Sequence, residues 1–522
     1  MRWNAKTLGM TLMLLAACTA SAGWASSLNG EIKLGGIFKD ETVGDVSAMP
    51  ETFNIYEGFS FSRLKLDGQA GGKNYFTLDL NEVNQKSGRG LFGYRVPNLL
   101  NLTLRYDQHR QIYDAAGDVT SRRKNMRGSF VLTPSKTWRI SADLGDQRKT
   151  GERMAYPQGT DSFLGNAYDY KLFTGRFEAE ARKDSRAAAV GYEFSDYKDE
   201  DLSVAARQGG VFSLRLSGND YFVPTHLSHY LRASYGKQEM TEVDTDYEMG
   251  TFQYLGTVKP ARDWQVKYRF FASRVDDNAT GLQTDNVRND FDLVWYNAIG
   301  NLFGGYGFVT NDDDRTLTDY NVYRVGGTFN YEQWIKAKIS YASNQKQDQE
   351  EKTLLKDMEA SRFRASLQGN PTTDLTLGVA YVDRQRDFPL IDVTATGQRW
   401  SAFGRLVYPG WGAVNLDYSY SDEEYVDRVA GFQADNSTVT GRIDFEYIKD
   451  LRLSFGASYL DIGKDLDIEK SILSFEAQYD FLKDYFVEAK YNCYNYDDYI
   501  LLDRYYTANV VWLNFGYKLA IN

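Results

Sequence analysis

Leu451-Arg-Leu-Ser-Phe-Gly-Ala-Ser-Tyr459 alternates without a break. On an extended chain Leu451, Leu453, Phe455, Ala457 and Tyr459 share one face, and Arg452, Ser454, Gly456 and Ser458 share the other. The same split recurs just upstream, where Val439, Gly441, Ile443, Phe445 and Tyr447 oppose Thr440, Arg442, Asp444 and Glu446. It recurs in Trp264, Val266, Tyr268 and Phe270 against Gln265, Lys267 and Arg269, and again at the C-terminus in Leu513, Phe515, Tyr517, Leu519 and Ile521. A soluble sandwich would pack its apolar faces together and favour Val, Ile and Leu. Here Gly and Ala alternate with aromatic residues, above all Tyr. A face that meets lipid needs no interdigitating partner and tolerates that mixture.

Composition agrees. Aromatic residues are 15% of the chain, with 38 Tyr and 30 Phe, and no stretch beyond the first 25 residues reaches the roughly 18–20 apolar residues of a membrane helix. Alternation along strands reconciles many aromatics with a polar chain. Short polar turns separate the alternating runs: Thr133-Pro-Ser-Lys136, Lys259-Pro-Ala-Arg262, Asn370-Pro-Thr-Thr373, Tyr408-Pro-Gly410 and Leu482-Lys-Asp484. Aromatic residues follow several of these turns at similar offsets: Trp138, Trp264, Trp334, Trp411 and Tyr485. Aromatics at one level form the girdle of a transmembrane barrel. The fold expected is therefore all-β: one large closed antiparallel transmembrane β-barrel of roughly 26 strands, 22 at the lowest count, with short periplasmic turns and long extracellular loops. The loops are expected at Asp276–Asn286, Asn311–Asp319, Asn344–Glu359, Asp422–Asp435 and Asp461–Glu469. At a strand spacing near 4.8 Å and a tilt near 40°, such a barrel is about 50 Å wide.

Residues 1–25 read as a cleaved signal peptide: Arg2 and Lys6, an apolar run from Leu8 to Ala17, then Ala20, Ala22 and Ala25. Residues 26–522 form the barrel domain, and loss of the two basic residues takes the net charge from −11 to −13. Leu15-Ala-Ala-Cys18 also reads as a lipoprotein box, which would acylate Cys18. The location expected is the outer membrane of a Gram-negative cell, with lipid and lipopolysaccharide as partners and no nucleic acid.

Candidate chemistry is sparse. His226 and His229 resemble a metal pair, but residues three apart in a strand point to opposite faces. His109 has no serine motif near it. Asp312-Asp-Asp314 and Asp422-Glu-Glu424 read as solvated loop charge that could hold calcium, and Arg122-Arg-Lys124 as a solvated loop touching lipopolysaccharide phosphate. No catalytic, metal or covalent cofactor site is expected, and the chain has no Cys-x-x-Cys-His for haem attachment. Cys493 shares the apolar parity of Tyr485, Val487, Ala489 and Tyr491 and reads as lipid-facing. The polar rows carry both signs: Lys336 and Lys338, then Arg442, Asp444 and Glu446, then Glu488 and Lys490, all expected to face the lumen. Mixed charge argues against a simple ion filter. Alternation begins soon after Ser26, which leaves no room for a plug domain and argues against a TonB-dependent transporter.

Glu51-Thr-Phe-Asn-Ile-Tyr-Glu-Gly-Phe-Ser-Phe-Ser-Arg-Leu-Lys-Leu-Asp67, with Asn101-Leu-Thr-Leu-Arg-Tyr-Asp107, resembles the MtrB/PioB family of decahaem-associated outer-membrane barrels. The resemblance implies a sleeve that holds a multihaem c-type cytochrome for electron transfer across the outer membrane, with periplasmic and extracellular cytochromes as partners and haem only on the partner. The chain lacks the N-terminal Cys-x-x-Cys that some family members carry, and it ends Ile521-Asn522 where many barrels end in an aromatic residue. The alternative function is a large porin for hydrophilic solutes.

Overall fold

The computed structural model describes residues 25–521 apart from the segments 45–54, 56, 71–72, 83–86, 113–119, 153–166, 200–205, 220–226, 241–244, 314–316, 333, 350–356, 390, 428–430 and 501–504. The signal peptide and Cys18 lie outside the described residues. In chain order β1 to β13 are Ala25–Gly44, Gly58–Ala70, Asn74–Asn81, Gly88–Val96, Leu100–Ile112, Thr120–Leu132, Trp138–Glu152, Ala167–Lys183, Arg186–Asp199, Arg207–Asn219, Leu227–Met240, Thr245–Ala261 and Trp264–Asp277. Strands β14 to β26 are Leu282–Asn297, Gly300–Asp312, Leu317–Tyr331, Ile335–Asp348, Met358–Gly369, Leu375–Phe388, Val393–Tyr408, Gly412–Val426, Gly431–Phe445, Leu451–Lys464, Ile468–Leu482, Tyr485–Asp498 and Tyr505–Ile521.

Each strand pairs antiparallel with the next, and β1 pairs with β26 from Leu28↔Ile521 to Gly44↔Tyr506, so the 26-stranded sheet closes on itself. Closure removes the unpaired edge that lipid cannot satisfy. The pairings also fix the slope of the strands. From Ile32 the path runs through Leu64, Leu80, Gly90, Tyr106, Met126, Asp146, Phe173, Asp196, Gln208 and Glu239 to Asp246, climbing from the middle of β1 to the far end of β12. The climb is about one residue per strand, so one circuit returns to β1 about 26 residues further on. A shear equal to strand number is the ratio of the eight-stranded, shear-eight barrel, whose strands tilt about 36°. With strands about 4.8 Å apart the barrel is about 50 Å across, as the sequence implied, with a slightly smaller tilt than assumed.

The two ends differ. Connections at the end bearing both termini are two to seven residues long, and those at the other end three to fourteen. Strands run further than the sequence suggested. Asp276–Asn286 contains only a turn at 278–281, Asp461–Glu469 one at 465–467, and Asp422-Glu423-Glu424 lies within β21 rather than in a loop. Arg122-Arg123-Lys124 lies within β6, paired with Arg110, His109 and Gln108. Both faces of a strand are wet beyond the bilayer edge, so hydrophobic alternation fades there while the hydrogen-bond ladder continues.

Buried residues concentrate at the closure seam. Ile37, Tyr494, Tyr506, Ala508 and Val510 form one cluster across β25, β26 and β1, with Ile472, Tyr496, Trp512 and Ile55 packed against it. Phe486 is 1% exposed; it lies over Gly516, with the ammonium groups of Lys33 and Lys518 5.5 and 5.4 Å from its ring. Elsewhere large apolar side chains such as Leu302, Ile339, Val379 and Leu473 stand exposed on one face.

Candidate functional site: the polar face of the barrel

One face of the closed sheet is apolar and the other polar, and the polar one carries most of the ion pairs among the described residues; Arg148–Asp146, Lys198–Asp196, Lys237–Asp246 and Arg274–Asp285 have the other parity. Of the residues expected to line the lumen, Lys336, Lys338, Arg442, Asp444, Glu488 and Lys490 lie on the polar row of their strands. Glu488 accepts from Lys33 at 2.6 Å and from Asn514 at 3.0 Å, beside the buried seam. Lys490 stands 5.1 Å from the Trp512 ring. Arg442 donates to Asp444 at 2.9 Å and to Ser454 at 3.2 Å. Lys336 is paired with Asn330 and Gln368, and Lys338 with Thr328 and Ser366. Glu446 follows β22 in a turn, its backbone N–H donating to the Trp411 carbonyl at 2.9 Å.

The strongest constellation was not legible in the sequence, because it joins strands that are not neighbours. Arg324 of β16 donates to Asp292 of β14 at 3.0 Å and lies 3.0 Å from Asp290, crossing β15 to do so. Asp290 is 3% exposed and is shared with Arg288 at 2.7 Å and Arg269 at 3.9 Å; Arg269 also meets Asp292 at 2.8 Å. The crossing needs space on β15, and the residues there are Gly305, paired with Asp292 and Arg324, and Gly307, paired with Asp290. A Cβ on Gly305 would collide with Asp292 Oδ1 and lie 3.1 Å from Arg324 Nε; one on Gly307 would collide with Asp290. Two further crossings use the same device. Arg215 of β10 reaches Glu178 at 2.7 Å and Glu180 at 2.5 Å on β8, over Ala189 and Gly191 of β9. Arg384 of β19 pairs with Glu423 of β21 over Gly397 of β20, where a Cβ would lie 2.7 Å from Arg384 Nε.

The five girdle candidates stand at the short-turn end. Trp138, Trp264 and Tyr485 open β7, β13 and β25, and Trp334 and Trp411 sit in the turns before β17 and β21. All five are exposed, and neighbours extend the band: Trp295 lies 6.3 Å from Trp264, Phe445 5.9 Å from Trp411, and Tyr517 4.9 Å from Tyr485. Sequence reading missed Trp295, Phe445 and Tyr517 because they end strands rather than follow turns.

The remaining candidates are not brought together. His229 is buried in β11 opposite Gly218 and Gly256, His109 lies in β5, and His226 is outside the described residues. Asp312 closes β15, while Asp314 is outside the described residues. Among the described residues no group of three or more His, Cys, Asp or Glu is arranged to hold a metal ion. Cys493 is a free thiol on β25, on the same face as Tyr491 and Val487.

No protein-family model and no curated protein matches the chain. Among solved structures it is similar to the siderophore receptor PirA from Acinetobacter baumannii, at 8% identity and a TM-score of 0.52 over 94% of this chain and 80% of the receptor. It is also similar to the FrpB iron transporter from Neisseria meningitidis (F3-3 variant), at 9% identity and a TM-score of 0.50 over 95% of this chain and all of that one. At such identities the likeness is one of fold. It supports the outer-membrane barrel within the sequence resemblance and not the MtrB/PioB family specifically. The chain is a multi-pass β-barrel of the Gram-negative outer membrane.

Proposed function

We propose that the protein is a wide outer-membrane passage for hydrophilic cargo, its polar face lining the bore and its apolar face, with the band of Trp138, Trp264, Trp334, Trp411 and Tyr485, set against lipid. The observation that carries this reading is the width: 26 strands form a barrel about 50 Å across at the backbone, far wider than side chains fill. The test is reconstitution. Purified barrel in a planar bilayer should give large ohmic conductance steps, and liposomes bearing it should take up sugars; folded barrel that does neither refutes the passage.

A second reading, a sleeve around a separate folded protein, is favoured by one observation. Between Ala25 and Ile521 no connection exceeds fourteen residues, so the described chain supplies wall and short connections, while an open hole of this width would cancel the barrier it crosses. The occupant implied by the sequence resemblance is a multihaem c-type cytochrome with haem of its own. The names of the structural neighbours, a siderophore receptor and an iron transporter, sit closer to the passage. Isolation of the barrel from its native membrane with a haem-staining partner would favour the sleeve, and isolation alone with solute-permeable conductance the passage.

A further inference from the structure

Charge on the polar face is mixed in sequence but segregated in space. Pairing register puts Arg362 and Arg364 of β18, Arg384 and Arg386 of β19, and Arg399 and Arg405 of β20 on that face, and their same-face neighbours on these three strands include no Asp or Glu. The acidic residues of these strands, Glu359, Asp383 and Asp387, have the opposite parity. Of the six arginines only Arg384 is ion-paired to a described residue, with Glu423 on β21. Arg362 sits directly opposite Arg384, an arrangement that destabilises a sheet by itself. All six are exposed, and they form a column from Arg405 near the short-turn end to Arg386 near the other. Lys336 and Lys338 of β17 extend it sideways at the lower end. This differs from the clamped stretch at β14–β16, where each arginine faces a carboxylate.

We infer that the β18–β20 wall is a binding track for multivalent oxyanions, that is, solutes carrying several phosphate or carboxylate groups. Unpaired guanidinium groups present planar donor forks that match such oxygens two at a time. Range decides how the track acts. At 0.1 M salt the field of a surface charge extends about 10 Å, enough to join Arg362, Arg364, Arg384, Arg386 and Arg399, which are direct or diagonal neighbours about 5–8 Å apart, but neither to reach Arg405, six residues along β20 from Arg399, nor to span a barrel about 50 Å wide. Anions are therefore held against this wall rather than focused along the axis. The inference rests on the passage reading, in which the polar face lines the bore.

The test uses the full-length barrel in detergent with inorganic tripolyphosphate as probe, followed by titration calorimetry at 0.05 and 0.5 M salt. The triple variant R362Q/R364Q/R399Q is compared with R442Q/R452Q/K464Q, which loses the same charge from exposed cations that each have a carboxylate partner. Loss of charge-assisted contacts should weaken binding about tenfold or more in the first triple and leave the second within about twofold. Equal effects in both, or no saturable binding by the unaltered barrel at 0.05 M salt, would overturn the inference. If the first triple does not fold, the single variants R364Q and R399Q carry the test, each expected to weaken binding measurably while R442Q does not. Binding is read without transport, so a barrel that conducts yet binds no tripolyphosphate loses this inference and keeps the passage, and one that binds without conducting loses the passage.

Discussion

Gly304 and Gly305 are adjacent on β15 and point to opposite faces, which makes them a matched pair for testing the crossing ion pair. A Cβ on Gly304 meets nothing within 4 Å, whereas one on Gly305 meets Asp292 Oδ1 inside any permissible contact and Arg324 Nε at 3.1 Å. Alanine at either site gains the same backbone advantage over glycine in a strand, roughly 0.5–1 kcal/mol, so that gain cancels between the two variants. What remains is the cost of moving Asp292. Overpacking in a tight site costs about 1–3 kcal/mol, and displacing the carboxylate also loosens charge-assisted bonds from Arg269 and Arg324. Gly304→Ala is expected to raise the guanidinium unfolding midpoint of the barrel in lipid, and Gly305→Ala to lower it, by about 1–3 kcal/mol relative to its neighbour. The penalty should shrink by most of its size in an Asp292→Ala background, because the colliding oxygen is gone and what remains is the flexible end of Arg324 and the Phe291 carbonyl oxygen at 3.2 Å, each of which has to give by only a few tenths of an ångström. Equal midpoints for the two single variants, or a full Gly305→Ala penalty that survives in the Asp292→Ala background, would refute the claim that glycine on β15 is what lets β14 and β16 be clamped.

Two arginines that use the crossing device should differ in weight. Arg324 is 19% exposed between two carboxylates, so Arg324→Gln is expected to cost about 3–5 kcal/mol, whereas the exposed Arg384–Glu423 pair predicts less than about 1 kcal/mol for Arg384→Gln. The same unfolding midpoints decide it, and equal losses would count against the burial argument. At the seam, Phe486→Ala empties a fully buried site over Gly516 and should cost about 3–5 kcal/mol, seen as loss of the heat-modifiable band on electrophoresis at a lower temperature. Single-tryptophan variants retaining only Trp138, Trp264, Trp334 or Trp411 should be quenched most strongly by lipids brominated at one common depth near the interface; four different depths would dissolve the girdle.

Closure, strand number and the level of the tight turns were legible because each depends on a local signal. Leu451 to Tyr459 announces a strand by alternation alone, and Trp411 after Pro409-Gly410 announces the turn between two others. The outer halves of the strands were less legible. Asp422-Glu423-Glu424 offers no apolar partner row, yet it pairs with Gln398, Gly397 and Thr396 in an unbroken ladder. Hydrophobic patterning reports where lipid is, not where hydrogen bonding stops. The polar-face network was illegible for a different reason: Arg324 and Asp290 are 34 positions apart on strands that do not touch, and the residue that permits their contact is a glycine with no chemistry of its own.

That last point explains why the polar wall divides into clamped and unclamped stretches. Next-nearest strands lie about 9.6 Å apart, a span that an extended arginine bridges straight across to a carboxylate where the intervening residue offers no side chain in the way. Three of these crossings share the same coincidences of register: an arginine, a small residue on the next strand, and an acid on the one beyond. Arg324, Gly305 and Asp292 meet that condition, as do Arg215, Ala189 and Glu180, and Arg384, Gly397 and Glu423. Arg399 does not. Its neighbours on the polar face are Val382 and Ser421, and beyond Val382 on β18 stands Arg364. A cation in that position has no carboxylate directly across from it on either neighbouring strand and is repelled by Arg364 beyond, so in the passage reading its donors are left for a solute.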